Sequence, residues 1–270
     1  MSGGARIFQI YYSEETRASR DVGFEGLDNL RNERPDWREY WPIRTFLQGN
    51  AVDDAAFYGL FSPKFADKTG LDSKAVFDFV GRHAEADVLL FSPFFDQIAY
   101  PKNIFDQAAW QHPGTLGTLE ECARLAEPAV DFEALVMDST NTVFCNYFVA
   151  KGAFWREWLE RCERIFRIAE ERTSDLARRL NEDTRHDDGG VPTKVFVIER
   201  IASLMLAAAG RWNARACSPI SLRWSTSPIA RFPLEMAVLD GLKIAYRVQG
   251  DPRYLAAFAQ LRQAIDRGLR

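Results

Sequence analysis

Two ionisable side chains, Glu199 and Arg200, interrupt the strongly apolar segment that spans residues 196–206. Removing a charge from water is costly unless that charge is paired or used by the protein. A salt bridge that joins two helices would satisfy both side chains without any chemistry. Alternatively, Glu199 faces a polar ligand, whose hydroxyl groups can donate to its carboxylate oxygens. The sequence leaves both interpretations open and makes Glu199 a candidate site residue.

Two further carboxylates are candidates for a general base because each follows a segment with the composition of a strand. Asp96 lies just beyond residues 86–91, and Asp138 ends the segment 134–138. A carboxylate whose surroundings raise its pKa toward neutrality can take a proton from an attacking hydroxyl group. We expect Asp138 or Asp96 to have this role, and a structural role at a strand end is the alternative.

Motifs of several other chemistries are absent from the sequence. The four cysteines are widely spaced, the three histidines lack metal-ligand spacing, and no D-x-D pair of carboxylates occurs. We therefore predict no metal site from the residues. The phosphate-binding P-loop, the dinucleotide-binding glycine motif and the nucleophile elbow of serine hydrolases are also missing.

Charge and hydropathy limit the partners of the chain. Its 270 residues carry a formal net charge of −4 without a basic stripe, so a nucleic-acid partner is not expected. No apolar run approaches the roughly 20 residues that a membrane span needs, although peripheral association stays open. The amino terminus lacks a signal-peptide pattern, and the scattered cysteines suit reduced thiols. We therefore expect a cytoplasmic protein.

Short apolar runs alternate with amphipathic segments, which predicts an α/β fold with parallel strand pairs. Ligands of open α/β sheets bind beyond the carboxyl ends of the strands. Tyr12 and Ser13 follow the first strand-like run, and Lys64 follows the second, where it could contact a phosphate group. The strand-like runs are residues 6–12, 56–61 and 86–91.

The region from residue 141 to residue 209 also carries a family resemblance. Residues 146–151 read Asn-Tyr-Phe-Val-Ala-Lys, a helix follows with Phe154-Trp155, and a later helix contains Ile198-Glu199-Arg200. This arrangement resembles bacterial capsule and lipopolysaccharide glycosyltransferases with a GT-A-type nucleotide-sugar fold. Residues 87–93 and 107–112 look like the middle region of that group, and the similarity spans about residues 6–209.

The resemblance implies a fold and a reaction. The fold would be a GT-A-like, Rossmann-like mixed sheet flanked by helices over residues 1–210. Residues 211–270 lie outside the resemblance, and helical patterns at about residues 234–249 and 252–267 predict a helical segment packed on that domain. The reaction would move a sugar from a nucleotide-sugar donor to a glycan acceptor in surface polysaccharide synthesis. The residues that the resemblance places near the substrates are Tyr12 and Ser13 for the nucleotide, Lys64 and Ser92 for the donor crevice, and Asn146 and Glu199 for the sugar or acceptor.

The missing D-x-D motif departs from the commonest pattern of that fold. Whether the donor would need Mn²⁺ or Mg²⁺ is therefore left open. The same absence motivates a second hypothesis of another class, a non-catalytic glycan-binding or assembly protein built on a degenerate transferase scaffold. Such a protein would bind oligosaccharides without turning over a nucleotide sugar.

Overall fold

The computed structural model describes residues 4–186 and 189–269. Eight strands lie within these ranges, six in a central sheet and two in a separate antiparallel hairpin. The strands of the central sheet are β1 (Ala5–Tyr11), β2 (Glu25–Asp28), β3 (Phe57–Phe61), β4 (Val88–Leu90), β5 (Phe148–Lys151) and β8 (Ala214–Ala216). The hairpin consists of β6 (Asp183–His186) and β7 (Gly189–Pro192).

The central sheet is mixed, with the strand order β2–β1–β3–β5–β4–β8. Strand β5 runs antiparallel to its neighbours β3 and β4, whereas the other pairs are parallel. The carboxyl ends of five strands therefore meet at one edge, together with the amino end of β5. The prediction of a mixed α/β sheet is confirmed, and this edge is where ligands of such sheets usually bind.

Helices cover both faces of the sheet because side chains alternate along each strand. In β1, Ile7 packs into one buried cluster, whereas Phe8 and Ile10 belong to the cluster on the opposite face. The twelve α-helices of the described ranges are α1 (Glu14–Ala18), α2 (Tyr40–Gly49), α3 (Phe65–Thr69), α4 (Ser73–Arg82), α5 (Phe95–Ala99), α6 (Ile104–Gln111), α7 (Leu116–Ala126), α8 (Gly152–Glu171), α9 (Asp175–Asn181), α10 (Thr193–Ala209), α11 (Pro233–Gln249) and α12 (Pro252–Leu269).

Helix α8 fixes the larger of the two buried clusters against the sheet. Phe154, Trp155 and Trp158 are fully buried on one face, as their three- and four-residue spacing predicts. The indole Nε1 of Trp155 donates to the backbone oxygen of Tyr58 in β3 at 2.8 Å. This bond joins the helix to β3, one of the central strands of the sheet.

Two strand predictions differ from the structure. Residues 135–138 are buried and Ala134 is exposed, but none of them pairs with a strand, so Asp138 does not follow one. Residues 142–150 also have the composition of a strand, but strand β5 begins only at Phe148, because Cys145 and Asn146 have left-handed φ angles of 58° and 54°. A left-handed residue interrupts the extended backbone that strand pairing needs.

The carboxyl-terminal part of the chain belongs partly to the sheet. Strand β8 pairs with β4, so the sheet continues past residue 210. Helices α11 and α12 pack on each other and on α5, around a cluster that includes Phe95, Met236 and Phe258. The buried ammonium of Lys243 donates to two backbone oxygens at the end of α5, those of Ile98 and Pro101, at 2.6 and 2.8 Å. In the described ranges, no helix has the length and apolarity that crossing a membrane requires.

Candidate functional site

A cleft of about 600 Å³ opens at the edge of the sheet where the carboxyl ends of the parallel strands meet. Its floor comes from residues just beyond these strands and from the turn before β5, and its walls come from α6, α10 and the chain after β8. Lining residues at the strand ends include Tyr12, Asn29, Lys64, Phe94 and Cys145, and those of the walls include Gln107, Glu199, Arg200 and Trp224.

A smaller cavity of about 60 Å³ adjoins the cleft and extends toward Ser62 and Asn146. The two spaces share six lining residues, and four of these are charged. The shared residues are Arg38, Glu39, Lys68, Cys145, Val195 and Glu199. The densest group of ionisable side chains therefore lies where the two spaces join.

The lining of the cleft is more cationic than the protein as a whole. Among its described lining residues, four are arginines or lysines and two are carboxylates, although the chain has a net charge of −4. A concave surface of one sign concentrates ligands of the opposite sign. The cleft thus favours an anionic ligand. The cations are Arg38, Lys64, Lys68 and Arg200, and the carboxylates are Glu39 and Glu199.

Glu199 lies half-buried at the junction of the two spaces. Within the described residues, its carboxylate accepts no hydrogen bond and lies in no ion pair. Burial raises the pKa of Glu199 above its usual value, the nearby ammonium of Lys68 opposes that rise, and the carboxylate of Glu39 adds to it. A carboxylate with a raised pKa and open acceptor oxygens is suited to accept a proton from a bound hydroxyl group.

Lys68 brings a positive charge to the same place from the end of α3. Its Nζ lies 3.2 Å from the sulfur of Cys145. Burial alone would lower the pKa of Lys68, but Cys145 and Glu199 outweigh burial and raise it, so the side chain is an ammonium at neutral pH. Burial raises the pKa of Cys145 to about 11. The thiol is therefore protonated and is a weak nucleophile.

Arg200 lies on the α10 wall with only 8% of its surface exposed. Its guanidinium donates to the backbone oxygens of Phe196 and Ile104 at 2.8 and 3.4 Å, and to Oε1 of Gln107 at 2.8 Å. Burial lowers the pKa of Arg200 to about 10. Arg200 thus joins α10 to α6, but through neutral acceptors and not through the salt bridge that the sequence suggested as one interpretation.

Unusual backbone conformations concentrate around this site. Of the six described non-glycine residues with positive φ, five line the cleft or the adjoining cavity. Such conformations cost free energy and cluster at functional sites, because they aim side chains and open the backbone. The five are Asn32 (40°), Arg38 (48°), Phe94 (65°), Cys145 (58°) and Asn146 (54°), and the sixth is Arg172 at the end of α8.

Four of the site residues suggested by the sequence line one of the two spaces. Tyr12, which is 41% exposed, and Lys64 line the cleft at the ends of β1 and β3. Asn146 lines the smaller cavity, and its buried Oδ1 has no hydrogen-bond partner among the described residues. Glu199 lies between these groups. The fold therefore brings together residues from four separate parts of the sequence.

The two serines suggested by the sequence do not line the cleft. The Ser13 hydroxyl caps helix α1, where it accepts from the backbone N–H of Thr16 at 3.1 Å. The Ser92 hydroxyl donates to the backbone oxygen of Thr142 at 2.8 Å and accepts from the N–H of Phe144 at 3.2 Å. Ser92 therefore shapes the turn that carries Cys145 and Asn146.

The two suggested aspartates are fully buried and also lie outside the lining. Asp96 accepts from the backbone N–H of Ser225 at 2.9 Å and from its hydroxyl, so it anchors the segment that bears Trp224 on the cleft wall. Asp138 accepts from Nη1 of Arg247 at 2.7 Å and from the hydroxyl of Thr140 at 2.6 Å. Asp138 thus ties the loop before β5 to helix α11.

Several lining residues were not singled out from the sequence. Lys68 follows Lys64 by one helical turn, and this spacing was a usable signal that both lie on one face. Arg38 and Glu39 belong to a polar connection between β2 and α2, whose length alone could have indicated function. Gln107 begins the stretch 107–112 that the resemblance covers, but nothing in its local sequence shows that α6 faces α10.

A network of ion pairs holds the connection that carries Arg38 and Glu39. Nη2 of Arg34 lies 2.6 Å from Oε1 of Glu170 on α8, and Trp37 donates to the same oxygen at 3.0 Å. The buried ammonium of Lys194 on α10 lies 2.5 Å from Oδ2 of Asp36. Burial alone would raise the pKa of Asp36, but the bonds from Arg34 and Lys194 outweigh it and lower that pKa to about 2. The cleft wall is therefore fixed from behind by paired charges.

The donor groups of the cleft do not fit a metal centre. In the part of the chain that the structure describes, no group of three or more His, Cys, Asp or Glu side chains is placed to share a cation. The carboxylates of Glu39 and Glu199 have the ammonium of Lys68 as a neighbour, and its charge disfavours a divalent cation there.

No protein-family model matches this chain, and no curated protein and no solved structure matches it either. Its function is therefore inferred from the cleft itself.

Proposed function

We propose that this protein is a glycosyltransferase that moves a sugar from a nucleotide-sugar donor to a glycan acceptor in surface polysaccharide synthesis. The observation that carries this proposal is the cationic cleft at the strand ends, with the open carboxylate of Glu199 beside the ammonium of Lys68. An anionic donor needs positive charge around its diphosphate, and an acceptor hydroxyl needs a base. The cleft offers both within one concave space.

Lys64 and Lys68 are suited to the diphosphate of the donor. Both lie just beyond β3 and line the cleft, on one side of its floor. Ammonium groups bind phosphate oxygens as point charges, and they stabilise the charge that grows on a departing diphosphate. On this proposal, Tyr12 and Asn29 lie on the nucleotide side of the floor, where the strand ends of β1 and β2 open into the cleft.

Glu199 is suited to activate the acceptor. The oxygen of an acceptor hydroxyl attacks the anomeric carbon of the donor sugar, and its proton passes to the Glu199 carboxylate. The bond between the anomeric carbon and the diphosphate oxygen breaks, and its electron pair leaves with the diphosphate. The raised pKa of Glu199 makes its carboxylate a stronger base than an ordinary glutamate. The base thus becomes Glu199, in place of Asp138 or Asp96.

The proposal also includes the type of fold and the location of the reaction. The single reversed strand in a mostly parallel, helix-flanked sheet supports assignment to the GT-A type of nucleotide-sugar fold. The donors of such enzymes are made in the cytoplasm, so we place the reaction there.

A ligand screen tests the proposal directly. UDP-, GDP-, CDP- and dTDP-sugars are added singly to the purified protein, with and without Mn²⁺, and thermal unfolding is recorded. A ligand that binds only the folded protein stabilises it by about 2.7 kcal/mol at 100 times its Kd. We expect one nucleotide family to raise the unfolding temperature and Lys68→Gln to reduce that rise. Absence of stabilisation by all four families would refute the proposal.

A second function, glycan binding without catalysis, is favoured by the placement of Asp96 and Asp138. Both aspartates are committed to internal hydrogen bonds and do not line the cleft, and among the described residues its lining carboxylates are Glu39 and Glu199. This function predicts oligosaccharide binding with no release of nucleoside diphosphate. A turnover assay on the donor identified in the screen decides between the two functions.

A further inference from the structure

The buried guanidinium of Arg200 contacts no carboxylate among the described residues. A buried cation normally contacts a carboxylate, because a neutral acceptor does not offset the loss of hydration. In the described ranges, Arg200 lies in no ion pair, and each of its three hydrogen bonds ends on an uncharged oxygen. Glu199 influences the guanidinium only through space. The wall of the cleft therefore contains a positive charge that lacks a contacting anion.

The hydrogen bonds around Arg200 also fix the orientation of two amides. Arg200 can only donate, so Gln107 must turn its oxygen toward it. The Nε2 group of Gln107 then donates to Oε1 of Gln97 at 3.2 Å, which leaves the Nε2 group of Gln97 at the end of the chain of bonds. Gln97 and Gln107 both line the cleft. The result is a wall that presents N–H donors beside a buried cation.

Arg200 retains donors for a ligand. A guanidinium has five N–H groups, and three are used by the protein, so one N–H of each terminal nitrogen has no partner among the described residues. Two terminal nitrogens of one guanidinium can bind the two oxygens of a carboxylate or two oxygens of a phosphate. The site thus has both the charge and the donors that an oxyanion requires.

We propose that the cleft wall formed by Arg200, Gln107 and Gln97 binds an oxyanion group of the sugar substrate, either a carboxylate or a phosphate. This proposal rests on the proposed function and extends it, because it assigns the substrates to the class of acidic sugars. The diphosphate of the donor is a separate group and lies at Lys64 and Lys68. Arg200 and Gln107 then determine specificity for the sugar, and Glu199 remains the base.

Pairs of ligands that differ in one charged group test this assignment. Binding to the wild-type protein is measured by calorimetry for UDP-glucuronate against UDP-glucose, for cellobiouronic acid against cellobiose, and for glucose 6-phosphate against glucose. We expect at least one acidic member to bind 10-fold or more tightly than its neutral partner. The pair that responds identifies the donor or the acceptor, and a carboxylate or a phosphate, as the source of the oxyanion.

The substitution Gln107→Glu sharpens the test because it supplies an internal carboxylate next to Nη2 of Arg200. This nearly isosteric change should remove the preference for the acidic ligand, so that the acidic and the neutral member of the pair bind with similar affinity. Gln260→Glu adds the same charge on the exposed face of α12 and should leave the preference intact. Should Gln107→Glu fail to fold, the wild-type comparison still decides the matter.

Equal affinities within all three pairs would overturn the inference, as would a preference that survives Gln107→Glu. Its failure is distinguishable from failure of the proposed function. If UDP-glucose and UDP-glucuronate bind but none of the three pairs shows a preference for its acidic member, the transferase proposal stands and the acidic-sugar assignment falls. If the protein binds cellobiouronic acid selectively but binds no nucleotide sugar, the oxyanion site stands and the transferase proposal falls.

Discussion

Charged side chains serve opposite purposes along helix α8 and in the cleft. On α8, Glu163 lies 2.5 Å from Nε of Arg44 and accepts from the hydroxyl of Tyr40 at 2.8 Å. In the cleft, Glu199 lies in no ion pair within the described residues, and the bonds of Arg200 end on neutral oxygens. Both regions are partly buried and both contain acids and bases. They differ in whether the protein supplies the partner for each charge.

This difference distinguishes charges that stabilise the fold from charges whose partner would be a ligand. A paired, partly buried acid stabilises the fold, and its removal leaves a partner without an anion. An unpaired acid or base at a cleft destabilises the empty protein, and a ligand can supply the missing partner. The left-handed residues around the cleft fit the same distinction, because strain persists where the surrounding structure maintains it for function.

The substitution Glu199→Gln should have the largest effect, and that effect should be on turnover. Loss of a general base lowers the rate by about 10²–10⁴-fold, whereas the fold should be retained because Glu199 supports no ion pair. Release of nucleoside diphosphate from the donor found in the ligand screen measures the rate. Glu163→Gln is the matched control and should keep turnover within about 2-fold. Similar rates for both variants would remove the distinction between the two regions.

The substitution Glu163→Gln should instead lower stability. Hydrogen bonds to charged groups contribute about 1.5–3 kcal/mol, and the substitution removes the charge that holds Arg44. We expect the free energy of unfolding to fall by about 2 kcal/mol. For a chain of this size, each kcal/mol lowers the unfolding temperature by about 2–4 °C. Chemical denaturation measures the change. A more stable Glu163→Gln variant would contradict the structural role of the α8 network.

The pH dependence of stability should show the effect of the buried, unpaired carboxylate of Glu199. Because the pKa of Glu199 is higher in the folded protein than its usual 4.5, the folded state holds this proton more tightly than the unfolded state. Stability of the wild type is therefore lost as pH rises from about 4.5 through the raised pKa, and Glu199→Gln escapes this loss. The unfolding temperature of Glu199→Gln should exceed that of the wild type at pH 7 but approach it at about pH 4. A difference in unfolding temperature that does not change with pH would show that burial does not raise the pKa of Glu199.

The smallest effects should come from relieving backbone strain at Asn146 and Arg172. Glycine adopts left-handed φ angles without a steric cost, so each substitution to glycine should raise stability by up to about 1 kcal/mol. At Asn146 the change also removes a buried Oδ1 that lacks a partner among the described residues. Asn146→Gly should lower turnover because the residue lines the site, whereas Arg172→Gly should not. Equal turnover in both variants would show that the strain is unrelated to function.

The sequence predicted the elements of the fold where one strong pattern dominates. The aromatic and β-branched run of β1, the buried run of β4 and the amphipathic pattern of α8 appear where hydrophobic spacing placed them. Prediction was weaker over residues 134–147. These residues are apolar enough for a strand, but their hydrogen bonds go to the loop around Asp138 and to Ser92, so only Phe148 and the residues after it join the sheet.

For the site, the sequence by itself determined which residue types are present, the α/β class, and the position of Tyr12, Lys64 and Glu199 near strand ends or in an apolar helix. Only the tertiary structure decided which of them meet. Asp96 and Asp138 have the right chemistry for a base, but packing commits both to internal bonds. A local pattern records whether a side chain is buried, whereas its charge partner lies far away in the chain. Partners therefore become known only once α6, α10 and the strand ends are brought together.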